Sequence, residues 1–387
     1  MSNNKIQALI AELKEIAYHP GRQLDAFKAQ GKKVIGCMPY HVPEEILYAA
    51  GAVPMGVWGT NKRTISKAKE YCATFYCTIG QLAMEMLMDG TLEKLDGIVT
   101  PTPCDTLRPM SQNIKSYLAK SGSHIVPIFL AHPQRRSDEA GMRYCRHQYE
   151  FVKQKVEEIT GNAVTDEALR EAIVVYNRYR KAARRFIKLA GQHPEAVSAV
   201  DRSAVIKAAY FMLKNDYTAK LEALNEELES LPASNWKGLR VMTSGIVCDN
   251  PELLKLFDEN RMAIVADDMA QESRNVATDA SEDGDPMEAL CQQWANTIND
   301  PIYWDPTSRE HTRAKHLIRT ARKSGAQGFI LFMMQFCDPE ETDYPHLKHD
   351  LEIADIPHIK LGIDQQMRNF GQVSTSLQAF ADVLNMH

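Results

Sequence analysis

The sequence predicts an α/β protein made of two Rossmann-like (flavodoxin-like) parallel-sheet domains, related as a pseudo-repeat, with an inserted helical layer. Short apolar runs alternate with helical patterns in both halves of the chain, which is typical of parallel strands joined by crossover helices. The stretch between the halves has almost no strand pattern. We therefore divide the chain into N-terminal helices at 1–32, a first α/β domain at 33–136, a helical segment at 137–235 and a second α/β domain at 236–387.

The first half begins with helices and continues as alternating strands and helices. Apolar residues at positions 6, 9, 10 and 13 follow the helical period, and His19-Pro20-Gly21 interrupts it. Pro43 and Gly51 mark the ends of a later helix, because proline suits the first turn and glycine the C-terminal cap. The pattern predicts strands at 33–37, 52–57, 97–100 and 124–130, and helices at 44–50, 78–89 and 106–120.

The inserted segment is rich in Lys, Arg, Glu, Ala and Leu and is interrupted near 160–162 and 191–194. This composition favours long helices. A basic run at 178–188 is predicted to be a solvated helix face.

The second half repeats the order of the first: a strand, a turn, a helix that starts with Pro-Glu, and a second strand. Both halves also contain a later strand that ends in Cys-Asp, at Cys104 and at Cys337. This shared order predicts the pseudo-repeat. Strands are expected at 239–243, 262–266, 328–334 and 358–361, and helices at 251–260, 286–294, 308–324 and 364–384.

Composition narrows the class of partner. The formal net charge is -5, which gives no electrostatic attraction to nucleic acid or to an anionic membrane. The longest apolar runs fall far short of the ~20 residues that span a bilayer. Charged residues interrupt the apolar positions of the N-terminus, unlike a signal peptide. We therefore expect a cytoplasmic protein whose eight cysteines are thiols, not disulfides.

The cysteines suggest a metal site as an alternative to simple burial. In parallel sheets ligands bind outside the carboxyl ends of the strands, where Cys104 and Cys337 are predicted to lie. Two thiolates would form half of a soft metal site, suited to zinc or iron–sulfur. The third ligand could be Cys72 or Cys77, which precede a helix. Cys37 and Cys248, which follow strands, are rival candidates. Cys145 and Cys291 lie within predicted helices and are expected to be packing residues.

Other motifs are weaker. The sequence contains no GxGxxG, GxxxxGK[ST], HExxH or GxSxG pattern. Asp267-Asp268 could bind a metal or a ribose, but a helix cap or a solvated turn is the more common role of such a pair. Tyr40-His41 could supply an acid or base, although a histidine after a strand is more often structural.

Three blocks, in this order, resemble the 2-hydroxyacyl-CoA dehydratase and benzoyl-CoA reductase family. They read GCMPYHVPEEILYAAGAVPMGVWG, YCTIGQLAMEMLMDGTLEKLDGIVTPTPCDTLR and GFILFMMQFCDPEETDYPHLKHDLEIADIPHIKL. The resemblance extends from about residue 33 to residue 384. It implies that three cysteines, Cys77, Cys104 and Cys337, hold a [4Fe-4S] cluster, and it leaves Cys72 outside the pattern.

The resemblance implies a function for the chain. It would be the smaller, β-type subunit of an iron–sulfur (R)-2-hydroxyacyl-CoA dehydratase, which removes water from (R)-2-hydroxyglutaryl-CoA or a related acyl-CoA through a ketyl radical to give the trans-2-enoyl-CoA. Its partners would be a larger α subunit in a heterodimer, an ATP-dependent iron–sulfur activator protein and the acyl-CoA substrate. Reduced FMN or riboflavin is a further cofactor candidate in such a complex. No residue of this chain is assigned as a catalytic acid or base.

Alternatives stay open at this point. A benzoyl-CoA reductase type subunit would use the same cysteines, and a non-catalytic electron-transfer subunit or a zinc-binding structural subunit would use them differently. The resemblance implies that the substrate sits on the cluster of the larger subunit and that the cluster of this β-type subunit relays the electron. Gly362 stands where the family often has glutamate, and this departure argues against direct substrate binding by this subunit.

Overall fold

The computed structural model describes residues 2–58, 61, 63–136, 138–297, 299–302 and 311–386. Within these ranges the helices are α1 (Ser2–Tyr18), α2 (Pro20–Ala29), α3 (Glu44–Ala49), α4 (Thr78–Met88), α5 (Leu107–Ser121), α6 (Glu139–Thr160), α7 (Asp166–Gln192), α8 (Ala199–Ala208), α9 (Lys214–Glu229), α10 (Pro251–Glu259), α11 (Pro286–Ala295), α12 (Thr312–Ser324), α13 (Asp338–Ile353) and α14 (Gly371–Met386). The strands are β1 (Val34–Cys37), β2 (Val53–Gly56), β3 (Gly97–Pro101), β4 (Val126–Leu130), β5 (Leu239–Gly245), β6 (Met262–Met269), β7 (Gly328–Met334) and β8 (His358–Ile363).

These strands form two sheets with the same strand order. The first sheet has the order β2-β1-β3-β4 and the second has the order β6-β5-β7-β8, each with four strands in the described ranges. Every adjacent pair is parallel. This confirms the α/β class and is consistent with two Rossmann-like units. The pseudo-repeat, the inserted layer and the domain boundaries stay predictions.

The helices α6 to α9 lie between the two sheets in sequence and connect the halves in space. Helix α7 packs against α3 of the first half and against α9 and β6. Helix α1 packs on α8 and α9, and Ile6, Ile10 and Leu13 are fully buried there. The apolar period at positions 6, 10 and 13 therefore marks the buried face of α1, as the sequence predicts.

Two helices differ from the sequence prediction in the last part of the chain. Helix α13, directly after β7, was not predicted, because Pro345 and a mixed polar pattern obscure its period. The predicted helix at 364–384 begins only at Gly371. Before it, the Asp364 carboxylate accepts a hydrogen bond from the Gln366 backbone N–H at 2.6 Å, which favours a turn over a helix. The predicted start of the helix at 308–324 lies partly outside the described residues.

No helix in the described ranges is both long enough and apolar enough to cross a membrane.

Candidate metal centre

Cys77, Cys104 and Cys337 line one pocket, which lies at the carboxyl ends of the central strands of both sheets. In each sheet the strand order reverses between two neighbours, β1 and β3 in the first and β5 and β7 in the second. Ligands of open α/β sheets bind at such switch points. The loops after all four strands contribute to the pocket wall, so the two switch points face one shared space.

Cys77 reaches this space because the start of α4 packs on the second sheet. Cys77 is the residue just before α4, with extended backbone. The Thr78 hydroxyl lies 3.6 Å from Met334 Sδ at the end of β7 and accepts a hydrogen bond from the Gln365 backbone N–H at 3.3 Å. These contacts hold the first turn of α4 beside the strand that leads to Cys337.

Each of the three sulfurs lies at the start of a helix. Backbone N–H groups of Ile79 and Gly80 donate to the Cys77 sulfur, and the Glu340 N–H donates to the Cys337 sulfur. Cys337 is the residue before α13, so its sulfur faces the first turn of that helix. Such N–H groups and the helix dipole stabilise negative charge.

Cys104 lies two residues before Thr106, the N-cap of α5, and its sulfur accepts from the N–H groups of Thr106 and Leu107. The Thr106 hydroxyl also donates to the Cys77 sulfur. Helices α4 and α5 meet closely here, since a Cβ on Gly80 would lie 2.9 Å from Thr106 Cγ2. The short glycine contact therefore brings two of the three thiols together.

Burial raises the pKa of all three thiols. Burial raises the pKa of Cys77. Burial, followed by the charge of Cys77, raises the pKa of Cys104 to about 12. Burial and the Glu340 charge, with smaller effects of the other two thiolates, raise the pKa of Cys337 well above its usual value. A cationic metal centre would displace the thiol protons, because thiolates are the metal-binding form.

The wall of the pocket is mostly apolar, and two of its aromatic residues have unusual backbone. Its empty volume is about 610 Å³, and its lining includes Ile79, Pro103, Leu107, Ile246, Ile302 and Met334. Tyr40 and Phe336 also line it, and both have left-handed backbone, with φ of 81° and 63°. His41 follows Tyr40 with φ of 62°. Left-handed backbone is costly for bulky side chains and is concentrated at functional sites.

The pocket opens into a wider cleft on the outside of the protein. Cys104, Ile302, Asp338 and Pro339 line both spaces, and the cleft adds Arg108, Gln134 and His346 to its wall. Gly362, in contrast, lies exposed on β8 and is not part of either wall.

The other five cysteines do not line the pocket. Cys72 is buried, with its sulfur 3.5 Å from Met110 Sδ. Cys145 and Cys291 are fully buried and their thiols hydrogen-bond to each other, as expected of packing residues. Cys37 and Cys248, the rival candidates after strands, are also buried, and burial raises the pKa of each well above its usual value.

Sequence reasoning misjudged the charged residues behind the pocket. Asp267 and Asp268 lie inside β6 and are buried, so they are neither a helix cap nor a solvated turn. Asp267 pairs with Arg202, and Asp268 accepts a hydrogen bond from Arg313 at 2.8 Å. Arg180, in the basic run, is also buried and paired. No sequence signal distinguishes a buried ion pair from solvated charges, because the partners are far apart in the chain.

In the part of the chain that the structure describes, no three His, Cys, Asp or Glu side chains are grouped so that they could hold one metal ion. The fold and the pocket define an α/β protein with three thiols at the junction of two parallel sheets. The chain belongs to the 2-hydroxyglutaryl-CoA dehydratase, D-component family, whose model matches residues 39–384. This confirms the family resemblance found in the sequence.

Three relatives are similar over almost the whole chain. The (R)-2-hydroxyglutaryl-CoA dehydratase subunit beta of Acidaminococcus fermentans is 51% identical and is aligned over 98% of this chain and all of its own length. The (R)-phenyllactyl-CoA dehydratase beta subunit of Clostridium sporogenes is 39% identical over 96% of this chain and 98% of its own length. The lactoyl-CoA dehydratase subunit beta of Anaerotignum propionicum is 36% identical over 98% and 100%, respectively.

Proposed function

We propose that this chain is the β-type subunit of an iron–sulfur (R)-2-hydroxyacyl-CoA dehydratase, a hydro-lyase that forms a trans-2-enoyl-CoA. Three relatives, at 36% to 51% identity, are named as beta subunits of such dehydratases. The single observation that carries the cofactor assignment is the convergence of Cys77, Cys104 and Cys337 on one pocket. We assign (R)-2-hydroxyglutaryl-CoA as the first substrate to test, on the 51% identity alone.

The donor set fits a [4Fe-4S] cluster. Thiolates are the usual ligands of such clusters. In a cubane each thiolate binds a different iron, so the sulfurs surround the cluster and need not meet at one point. This agrees with three thiols spread around a pocket, whereas a structural zinc ion needs four ligands directed at one centre. When bound through three cysteines, such a cluster would supply a one-electron carrier with one iron lacking a cysteine ligand.

The protein's own groups define the environment of that site. Backbone N–H groups at three helix starts would stabilise the thiolates, and hydrogen bonds to sulfur are among the factors that set cluster potentials. The apolar residues of the wall exclude water from the inner side. The cleft beside Cys104 leaves the outer side accessible to a partner or a substrate.

The partners follow from the same proposal. The chain would pair with a larger α subunit that binds the acyl-CoA, and a transiently bound ATP-dependent iron–sulfur activator would supply the electron. In this arrangement the β-type subunit relays the electron to its partner. A reduced flavin, FMN or riboflavin, stays a further candidate of the whole complex.

A benzoyl-CoA reductase type subunit is the second enzymatic candidate within the same fold. It would carry the same three thiols, so the pocket does not separate the two. The names of the three relatives favour the dehydratase. Assays of the complex with 2-hydroxyglutaryl-CoA and with benzoyl-CoA distinguish them directly.

The cofactor assignment is tested by cysteine variants purified without oxygen, together with the large subunit. Cys104→Ala and Cys337→Ala should lose iron, acid-labile sulfide and dehydratase activity. The buried controls Cys145→Ala and Cys291→Ala should keep about four irons and four sulfides per chain. Equal iron in all four variants would remove these cysteines as ligands, and about one zinc per chain with no iron would replace the cluster by a structural metal.

A further inference from the structure

We propose that Asp300, held beside the three-cysteine pocket by Tyr40, binds one proton when the cofactor of that pocket accepts one electron. The inference rests on the proposed function in one respect, because it requires a redox cofactor between Cys77, Cys104 and Cys337. It goes beyond that function by assigning a site of proton uptake in this subunit.

Tyr40 lies between two cavities of different character. It lines the apolar pocket of the three cysteines and also a second, polar cavity. The second cavity is lined by His41, Glu45, Arg180, Arg274, Asn275 and Gln293, among others. A polar cavity can hold water, and His41 of this cavity's wall lies 3.7 Å from Asp300 Oδ2. Tyr40 is therefore an aromatic residue in the walls of both the three-cysteine pocket and the polar cavity.

The Tyr40 hydroxyl donates a hydrogen bond to Asp300 Oδ2. The two residues are 260 positions apart, so the contact depends on the packing of the two halves. Tyr40 and His41 have left-handed backbone, with φ of 81° at Tyr40. This conformation is costly for a tyrosine, so the surrounding contacts must hold it in place. This hydrogen bond links the wall of the pocket to a carboxyl group.

Asp300 is buried. Its Oδ1 accepts a hydrogen bond from the Ile302 N–H at 2.9 Å. Among the described residues, Arg274 Nη1 lies 3.7 Å from Oδ1, and the imidazole Nε2 of His41 lies 3.7 Å from Oδ2. Arg274 is at the same time engaged by Glu340 at 2.6 Å. Asp300 therefore shares the Arg274 guanidinium with a second acid.

Burial, with smaller effects of neighbouring charges, raises the pKa of Asp300 to about 7. The Ile302 N–H and Arg313 oppose this rise in pKa, and the charges of Glu340 and Asp343 add to it. His41 does not compete with Asp300 for the proton. Burial, with the charges of His132, Arg136 and Arg274, holds the pKa of His41 well below its usual value. A further negative charge beside Tyr40 raises the pKa of Asp300 again.

Reduction of the cofactor and protonation of Asp300 together add no net charge. A one-electron donor reduces the cofactor held by the three thiolates, and one proton from water in the polar cavity binds a carboxylate oxygen of Asp300. One electron and one proton enter together, so the buried charge of the region does not change. The Asp300 carboxyl then donates to the Tyr40 oxygen, which reverses the hydrogen bond and leaves the Tyr40 O–H able to donate elsewhere. When the electron leaves, the proton returns to the cavity.

The test is a redox titration of the anaerobic holoprotein, followed by its visible spectrum at several pH values after the iron content is measured. In wild type the reduction potential should be constant below the pKa of Asp300. Above it, the equilibrium constant for reduction should fall tenfold per pH unit. Asp300→Asn should abolish this dependence, whereas the control Asp105→Asn, an exposed acid next to Cys104, should keep it.

A second measurement does not depend on a variant that folds. The infrared difference spectrum of wild type, reduced minus oxidised, is recorded above pH 7, because the pKa of Asp300 is about 7. It should show a new band of a protonated carboxyl group. In Tyr40→Phe this band should shift, because the carboxyl loses its hydroxyl partner. An unshifted band would remove Tyr40 from the proposal.

Two failures are distinguishable. Iron-containing wild type with no carboxyl band and a pH-independent potential would overturn the inference and leave the cluster assignment intact. Wild type without iron would overturn the proposed cofactor, and the inference with it.

Discussion

Replacement of Arg202 by methionine should lower the free energy of unfolding by about 3 kcal/mol at pH 7, as expected when one partner of a buried ion pair is removed. Arg202 on α8 is almost fully buried and pairs with Asp267 of β6 and with Glu272 just after it. The arginine therefore joins the helical segment to the second sheet through two acids. Methionine keeps the packing of the aliphatic stem and removes the charge.

The magnitude is set at the lower end of the usual range, ~3–5 kcal/mol, because both acids have other ways to reduce their cost. Asp267 Oδ1 accepts backbone N–H bonds from Met269 and Ser273, each at 3.0 Å, so its charge is not left unsolvated. Glu272 can become neutral. Burial already raises its pKa to about 7 despite the opposing charge of Arg202.

The loss of stability should depend on pH with a definite sign. An acid whose pKa is raised on folding stabilises the folded state at low pH, and this contribution is lost as pH rises through the folded pKa. Without Arg202 the pKa of Glu272 rises further above 7, its value in wild type. From pH 7 to pH 9 the gap between wild type and variant should therefore widen, by at most about 1.4 kcal/mol per pH unit.

Urea unfolding followed by circular dichroism, at pH 7 and at pH 9, measures both quantities on the anaerobically purified protein. Arg185→Met is the matched control, because Arg185 forms an ion pair with Glu229 in which the two side chains are 38% and 48% exposed. The control should unfold close to wild type at both pH values. Equal midpoints for Arg202→Met and wild type, or a gap that narrows toward pH 9, would refute the reasoning.

Three further substitutions test a close contact of α7 with β6 and the choice between Cys72 and Cys77 as a ligand. Gly191→Ala, in α7, should lower the free energy of unfolding by about 2 kcal/mol through overpacking. The reason is that the new Cβ would lie 2.6 Å from the Val265 carbonyl oxygen of β6. A higher melting temperature of the variant, as the better helix propensity of alanine alone would give, would contradict this contact. Cys72→Ala should keep the iron of the centre while Cys77→Ala loses it, as metal analysis would show; the reverse result would move the ligand by five positions in the sequence.

Local patterns in the sequence determined most of the secondary structure. Strand β7 has the predicted bounds, Gly328–Met334, because a run of buried apolar residues between a glycine and a Cys-Asp turn leaves little choice. The glycines after α5 and α6, Gly122 and Gly161, have the left-handed backbone that ends a helix. Such features depend on neighbours in the chain, so they are readable without a structure.

The sequence also placed Cys104 and Cys337 at the ends of parallel strands, since that position follows from the strand itself. It did not choose between Cys72 and Cys77 on the residues alone. The resemblance to the family named Cys77, and in the folded chain Cys77 lines the pocket because α4 begins against the second sheet.

Contacts between distant residues were decided only by the tertiary structure. Arg202 meets Asp267 over 65 positions, and Tyr40 meets Asp300 over 260. Periodicity carries no information about such pairs, because a charged residue looks the same in the sequence whether water or an opposite charge surrounds it. Most of the elements, and the chemical groups at their ends, were therefore predictable from the sequence. The packing of the two sheets on the helical segment determined which of these groups share a buried space.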